Sequence, residues 1–345
     1  MSAPRMFNRF RGFCLAAAAT AMSLAGVQSA ASASDKKDVT IALFVAIQAN
    51  PVEQAIINAF HRIAEQDGAA RFVVFDSDNS VQKELANCND AIASKQYAAF
   101  ALKAVAGPPL MACASKAITT GIPVVAFGNA LGPDANTAAR QIDGLAASVI
   151  ELAKLNGIAI ADLVNAACAK KQANPCRVIY THGPLAFDWA SISRKFFLET
   201  AAEKYKHIEI VASGPNNFDP NTARSLVKTF MQVHPDADVI AADSDQGALG
   251  TLAALKDLRK VPGKDVLVTG GAFSNQGKQF LLAGELFGST CLMPITEAET
   301  AAKYAILAAR GEPIEKPDVE VCSVFSPTGS APITAENAAK FTPEW

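Results

Sequence analysis

Short apolar runs alternate with amphipathic stretches along most of the chain. Val39 to Ile47 is an apolar run, broken only by Thr40, and rich in β-branched residues. It is too short to span a membrane and predicts a strand buried on both faces. Asn50-Pro51 then predicts a helix start, a capping side chain ahead of a fixed φ, and Ile56, Phe60 and Ile63 recur at helical spacing until Gly68. The unit is strand, short polar loop, helix. Its loop, Gln48-Ala49-Asn50, falls at the carboxyl end of the strand, where open parallel sheets bind ligands.

The unit repeats. Arg71–Phe75, Tyr97–Leu102 and Ile122–Phe127 predict strands, Leu85, Cys88 and Ile92 mark one helix, and Pro108-Pro109 opens another that closes at Gly121. Residues 141–155 predict a further helix, ahead of a polar loop at Lys170–Pro175. The pattern then restarts with strands at Arg177–Tyr180, Ile208–Ala212, Val239–Ala242 and Val266–Thr269. The helices between them carry Ile192, Phe196 and Phe197, or begin at Asp219-Pro220 by the same device as Asn50-Pro51. Two successive sets of strand–helix units imply an α/β protein of two doubly wound, Rossmann-like lobes, each a parallel sheet covered by helices.

Composition adds an address. The 345 residues are 50% apolar and 19% charged with net charge −2, a balance that gives no reason to expect nucleic acid as partner. Arg5, Arg9 and Arg11 precede an apolar segment from about Phe13 to Val27, and Ala31-Ser32-Ala33 fits a signal-peptidase site. This predicts a signal peptide over residues 1–33, cleaved near Ala33, and a periplasmic protein. Of the seven cysteines, setting Cys14 aside leaves Cys88, Cys113, Cys168, Cys176, Cys291 and Cys322. An even count in an oxidising compartment suggests disulfides, for which six cysteines allow fifteen connectivities. The layout favours Cys88–Cys113 linking successive helices, Cys168–Cys176 stapling one loop, and Cys291–Cys322 joining two late strands.

Enzyme motifs are missing. The turn after the first strand has no glycine, so no dinucleotide fingerprint forms, and there is no P-loop or GxSxG. His61, His182, His207 and His234 fit no metal spacing, and the pairs Asp76/Asp78 and Asp243/Asp245 suit helix caps or ligand hydroxyls better than a metal. No catalytic, metal or cofactor site is expected. What recurs is a polar or aromatic residue just past each strand end: Gln48 and Asn50, Asn129, Asp188 and Trp189, Phe218, Ser244 and Asp245, and Phe273. Facing strand ends so furnished would form a cleft suited to a small, neutral, oxygenated molecule.

The stretches ALFVAIQANP (42–51), FVVFDSDNSVQKELANCNDAI (72–92), GIPVVAF (121–127), NNFDPNTARSLVKTF (216–230) and DSDQGALGTLAALK (243–256) resemble type I periplasmic binding proteins of the ribose-binding kind, which deliver ligands to ABC transporters. The resemblance keeps its order over the whole mature chain. It implies an N-terminal lobe of residues 35–141 plus 293–321 and a C-terminal lobe of 142–292 plus 322–345. Three crossovers, near Gln141–Asp143, Leu292–Pro294 and Val319–Ser323, would form a hinge that closes on ligand. It also implies a permease partner in the inner membrane, and a monomer suffices because one chain builds the cleft. Docking on a membrane signalling receptor is the alternative use of such a chain.

The departures from the family's pattern bear on the ligand. Asn50 and Phe218 match directly, but Asn50-Pro51 is followed by Val52-Glu53 where sugar binders have two aromatic residues. The family's Asp-Arg falls on Gly128-Asn129, its Asn-Asp on Ser244-Asp245, its Phe-Asp on Gly271-Ala272 and its late Gln on Leu292. Lost hydroxyl-gripping groups leave a typical aldopyranose short of partners. Two expectations follow. One is a less hydroxylated or aromatic ligand walled by Phe44, Phe127, Phe187, Trp189, Phe218 and Phe273. The other is an unusual sugar or polyol held by Gln48, Asn50, Asn129, Asp188, Ser244 and Asp245, with Glu53 in place of the missing ring.

Overall fold

The computed structural model describes residues 36–345; the expected signal peptide, its cleavage site and Cys14 lie outside the described residues. The elements run β1 (Val39–Val45), α1 (Pro51–Asp67), β2 (Ala70–Asp76), α2 (Val81–Ser94), β3 (Ala99–Leu102), α3 (Gly107–Thr119), β4 (Val124–Gly128) and β5 (Ala147–Ile150). Then come α4 (Ala153–Lys171), β6 (Cys176–His182), α5 (Asp188–Lys204), β7 (Ile208–Pro215), α6 (Pro220–Val233), β8 (Val239–Ala242), α7 (Asp245–Asp257), β9 (Leu267–Thr269), α8 (Asn275–Leu282) and β10 (Gly288–Ser289). The chain ends with α9 (Pro294–Arg310), β11 (Asp318–Glu320), α10 (Val321–Phe325) and β12 (Ile333–Thr334).

The strands form two six-stranded sheets of the same design, β2-β1-β3-β4-β5-β11 and β7-β6-β8-β9-β10-β12, parallel throughout except for β12. In each, the strand order reverses beside the first strand, which is where open α/β sheets leave a crevice at their carboxyl ends. β1 shows why its sequence is apolar at every position but Thr40. Ile41, Leu43 and Val45 face α1 and α9, packing with Ile56, Phe60 and Ala302. Ala42 and Phe44 face the other way, onto Cys88 and Leu110 of α2 and α3. Each such aliphatic or aromatic side chain contributes roughly 1.5–3 kcal/mol by leaving water. In the second sheet Ile179 joins the α6–α7 side and Val178 and Tyr180 the α4–α5 side.

One expected helix is replaced. Over residues 141–155 the spacing of Leu145, Val149 and Leu152 imitates a helix, but Ala147–Ile150 is a fully buried strand paired with β4 and β11, and the helix starts only at Ala153. A short apolar run buried on both faces is the case that periodicity cannot separate from helix. The chain therefore leaves the first sheet after Ile150, not near Gln141–Asp143. It crosses back between Ser289 and Pro294, and leaves again after Glu320.

All three expected cysteine pairs form. Cys88–Cys113 joins α2 to α3 and Cys168–Cys176 ties α4 to β6. Cys291–Cys322 joins a loop residue to α10 and not two strands, so it connects the second and third passages between the sheets.

Two helix pairs of the second sheet are set by glycines. A Cβ at Gly157 of α4 would lie 2.2 Å from the Ser193 carbonyl oxygen of α5, and one at Gly250 of α7 would lie 2.2 Å from that of Pro220 in α6. Gly to Ala inside a helix ordinarily stabilises by roughly 0.5–1 kcal/mol. Here the new methyl meets rigid backbone, so Gly157→Ala is expected to reverse the sign and lower the unfolding midpoint in urea, with m unchanged.

Candidate ligand-binding cleft

A cleft of about 680 Å³ opens between the carboxyl ends of the two sheets. The strand-to-helix turns of both sheets supply its walls, because each parallel strand hands over to its helix on that side. The two walls differ in chemistry.

The second-sheet wall is aromatic. Phe187, Trp189 and Phe218 line it, with the Phe218 ring edge-on to Phe187 at 6.3 Å and tilted to Trp189 at 6.1 Å between centroids. Gly183 makes the room: a Cβ there would sit 2.1 Å from the Phe218 Cζ. Asn217 and Phe218 both hold the left-handed conformation, φ 56° and 54°, unusual for side chains of this size. Asn216 fixes the turn, accepting from the Phe218 amide at 2.8 Å and donating to Thr181 Oγ1 at 3.2 Å. The buried Asp243 carboxylate accepts from the Gly183 amide at 2.7 Å, and burial pushes its carboxyl up to about 7.

The first-sheet wall is charged. Glu53, in the first turn of α1, receives a bond of 2.5 Å from Lys103 Nζ at the end of β3, and both are buried. Gly128, φ 75°, leaves space for the lysine stem, since a Cβ there would come within 2.7 Å of Lys103 Cγ and Cε. Glu297 of α9 accepts from the Gly128 amide at 3.1 Å, and Glu151 accepts from the Met293 amide at 2.5 Å. Burial holds both acids up, Glu297 to about 8. Their neighbours Glu53 and Glu297 respectively add to the rise, while Lys103 opposes it at Glu297. Lys103 itself is raised: burial alone would lower it, but Glu53, Glu297 and Glu151 together win.

Of the residues singled out in the sequence, Asn50, Glu53, Asn129, Phe187, Trp189, Phe218 and Ser244 line the cleft. Part of their polar capacity is already used. Asn50 accepts from the Val52 amide, Ser244 from that of Gly247, and Asn129 donates to the Ala104 carbonyl. Phe44, Phe127 and Phe273 are not walls but core, packed against Phe75, Phe60 and Phe341. Their strand-end positions look into the sheet–helix interface. Gln48 is exposed, with its amide donating to Asp76 and its carbonyl accepting from Gln54. Asp245 lies behind the wall, accepting from Ser274 and Ser289.

Asp188 has another task. The α3 N-cap, Ala106, has no capping side chain, and Asp188 of α5 reaches over from the second-sheet side to accept from the Gly107 amide at 2.8 Å. Its own amide donates to the Val105 carbonyl at 3.1 Å. Beneath this contact the Glu84 carboxylate accepts from the Val105 amide, and burial pushes it up to about 8.

Gln246, which follows Ser244 and Asp245 past the end of β8, lines the cleft as the strand-end pattern suggested, while Lys103, Glu151 and Glu297 line it without having been foreseen. The signal for these three was a charge set against a buried run: Lys103 after AFAL, Glu151 after ASVI, and Glu297 in the first turn of α9.

These buried acids set the sign of the pH dependence. Glu84, Asp243, Asp245 and Glu297 are all raised in the folded protein, from 4.5 or 3.8 to about 7 or 8. Below their unfolded values they cost nothing; as pH rises towards 8 the folded state must give up protons it holds more tightly. Unfolding midpoints are expected to be higher near pH 5 than near pH 8, and Glu84→Gln to flatten that slope.

A periplasmic binding protein domain family matches residues 41–313. The ribose import binding protein of Escherichia coli is 25% identical over 297 residues, covering 86% of this chain and 94% of the relative. A D-apiose import binding protein of Paraburkholderia graminis is 29% identical over 116 residues, 32% of this chain and 36% of the relative. Among solved structures, an ABC transporter solute-binding protein from Bacillus halodurans with bound myo-inositol superposes with a TM-score of 0.72 at 19% identity, over 89% of this chain and 100% of that one. A Shewanella arabinose transporter component superposes with the same TM-score at 17% identity, over 87% and 93%. With the family matched across both sheets, the chain belongs to the periplasmic binding proteins, and its role is to bind a substrate.

Proposed function

We propose that the chain is an exported, periplasmic solute-binding protein that captures one small oxygenated molecule between its lobes and hands it to an ABC importer. In this reading the lobes are residues 39–150 with 294–320, and 153–289 with the segment from 333, the passages between them acting as hinge. The carrying observation is the cleft itself: about 680 Å³ at the carboxyl ends of two matched sheets, aromatic on one side and polar on the other. That volume admits a small molecule of monosaccharide size or larger, and aromatic rings opposite polar groups suit a ligand having both apolar and oxygenated faces. The named relatives' imports of ribose and D-apiose support the same class.

The direct test is to denature the purified mature protein, identify any released small molecule by mass spectrometry, and run a thermal-shift panel of sugars, polyols and aromatic alcohols. A ligand at a hundred times its Kd should stabilise the fold by about 2.7 kcal/mol and raise Tm by several degrees. Trp189→Ala and Phe218→Ala are expected each to weaken binding at least tenfold with little change in unliganded Tm. No released molecule and no shift with any compound would refute the reading. Asp188→Ala removes a helix cap that exists only while the lobes touch, worth about 1 kcal/mol. Affinity should fall about fivefold, with the loss in the dissociation rate measured by stopped flow.

A further inference from the structure

We propose that the cleft selects a ligand bearing a protonated amine, its nitrogen against the carboxylates of the first wall and its body against Phe187, Trp189 and Phe218. The inference rests on the solute-binding reading and narrows its ligand class.

Charge is the first ground. Lys103 is the only cationic residue lining the cleft among the described residues, and three glutamates on separate elements surround it: Glu53 on α1, Glu151 after β5 and Glu297 on α9. All four are more than nine-tenths buried. The lysine is committed to Glu53, while Glu151 and Glu297 have only backbone amides as partners. With all three carboxylates ionised, this wall repels anions and is two positive charges short of balance. A hydroxyl could accept or donate a hydrogen bond here but could not supply that charge.

Unused polar atoms are the second ground. Glu53 is 5% exposed and its Oε2 has no partner. Gln246, which lines the same cleft, is 7% exposed and its Nε2 has none. The first calls for a donor and the second for an acceptor, so a ligand carrying an ammonium at one end and an oxygen at the other completes both. Aromatic faces add to the attraction for a cation.

A metal ion would be the rival source of charge, but among the described residues no group of three His, Cys, Asp or Glu is arranged to hold one. A hard cation is also disfavoured because the Lys103 ammonium already lies 2.5 Å from one carboxylate of the group.

The groups that bear on titration are Lys103, Glu53 and Glu297 around one another, with Glu320 and Glu344 also acting on Glu151. On the opposite wall Asp219 is engaged by the Thr222 amide and hydroxyl. A bound ammonium favours the ionised carboxylates, so binding must release a proton where the free cleft holds one. Affinity then strengthens as pH rises from 6 to 8, by up to tenfold per unit for one proton displaced.

The probes are matched pairs whose amines keep their charge over that range: glucamine against sorbitol, tyramine against tyrosol, and ethanolamine against ethylene glycol. Titration calorimetry in two buffers of different ionisation heat reads affinity and proton release together. The amine of at least one pair is expected to bind ten times more tightly than its neutral partner and to release protons, and Glu297→Gln to abolish both differences. Should that variant fail to fold, the pH profile and proton release of the unaltered protein carry the test. Equal or stronger binding of the neutral partner, amine binding without proton release, or a neutral molecule recovered from the denatured protein overturns the inference and leaves the solute-binding reading standing. If no molecule is recovered and neither member of any pair binds, both fall.

Discussion

Every strand-to-helix turn in a parallel sheet delivers a helix N-terminus to the same edge, and each N-terminus brings backbone amides with no partner in the helix. Two such sheets facing each other crowd these ends around one cleft, and how they are satisfied governs much of what the cleft can do. α6, α7 and α8 are capped from within by Asp219, Ser244 and Ser274. On the first-sheet side α1 is capped by Asn50, but α3 and α9 have no side-chain caps of their own. α3 borrows Asp188 from across the cleft, and the first amides of α9 are taken by Glu344. The borrowing is mutual: α4 and α5 also have no side-chain caps of their own, and the first amide of α5, at Asp188, donates to the Val105 carbonyl of the first lobe.

The glutamates at the cleft floor obey the same logic. A buried ion pair such as Glu53–Lys103 contributes little net stability, because desolvating two charges offsets most of their attraction. Adding Glu151 and Glu297 makes the group costlier still, and three of its members are held by one backbone amide or one side chain each. Groups that weaken a fold while lining its main cleft belong to its function. Gly128 shows how the sequence accommodates them: a residue with a side chain there would evict the lysine.

The architecture was legible because its signals are local and repeated. Apolar runs such as Val39–Val45 pack on two faces, and Asn50-Pro51 and Asp219-Pro220 mark helix starts with their own chemistry. It failed at Ala147–Ile150, where a strand of four residues carries too few positions to show a period. The cleft was half legible. Residues just past strand ends were the right place to look, and Phe187, Trp189 and Phe218 are there. Whether a given ring turns into the cleft or into the core depends on tertiary packing, which sent Phe44, Phe127 and Phe273 inward. Glu297 meets Glu53 and Glu151 only through the return of α9 to the first sheet, a pairing that sequence separation hides.

Cys291–Cys322 lies where the chain passes between the sheets, and Glu151 of the first passage sits 4.0 Å from the Cys322 sulfur while accepting from Met293 of the second. Three separate strands of a hinge could slide past one another and let the lobes twist as well as bend. Fastened side by side, they behave as a single flat strap. A strap bends readily in one direction and resists torsion, so the opening and closing that the proposed function requires would follow one arc and return the aromatic wall to the same place opposite the glutamates.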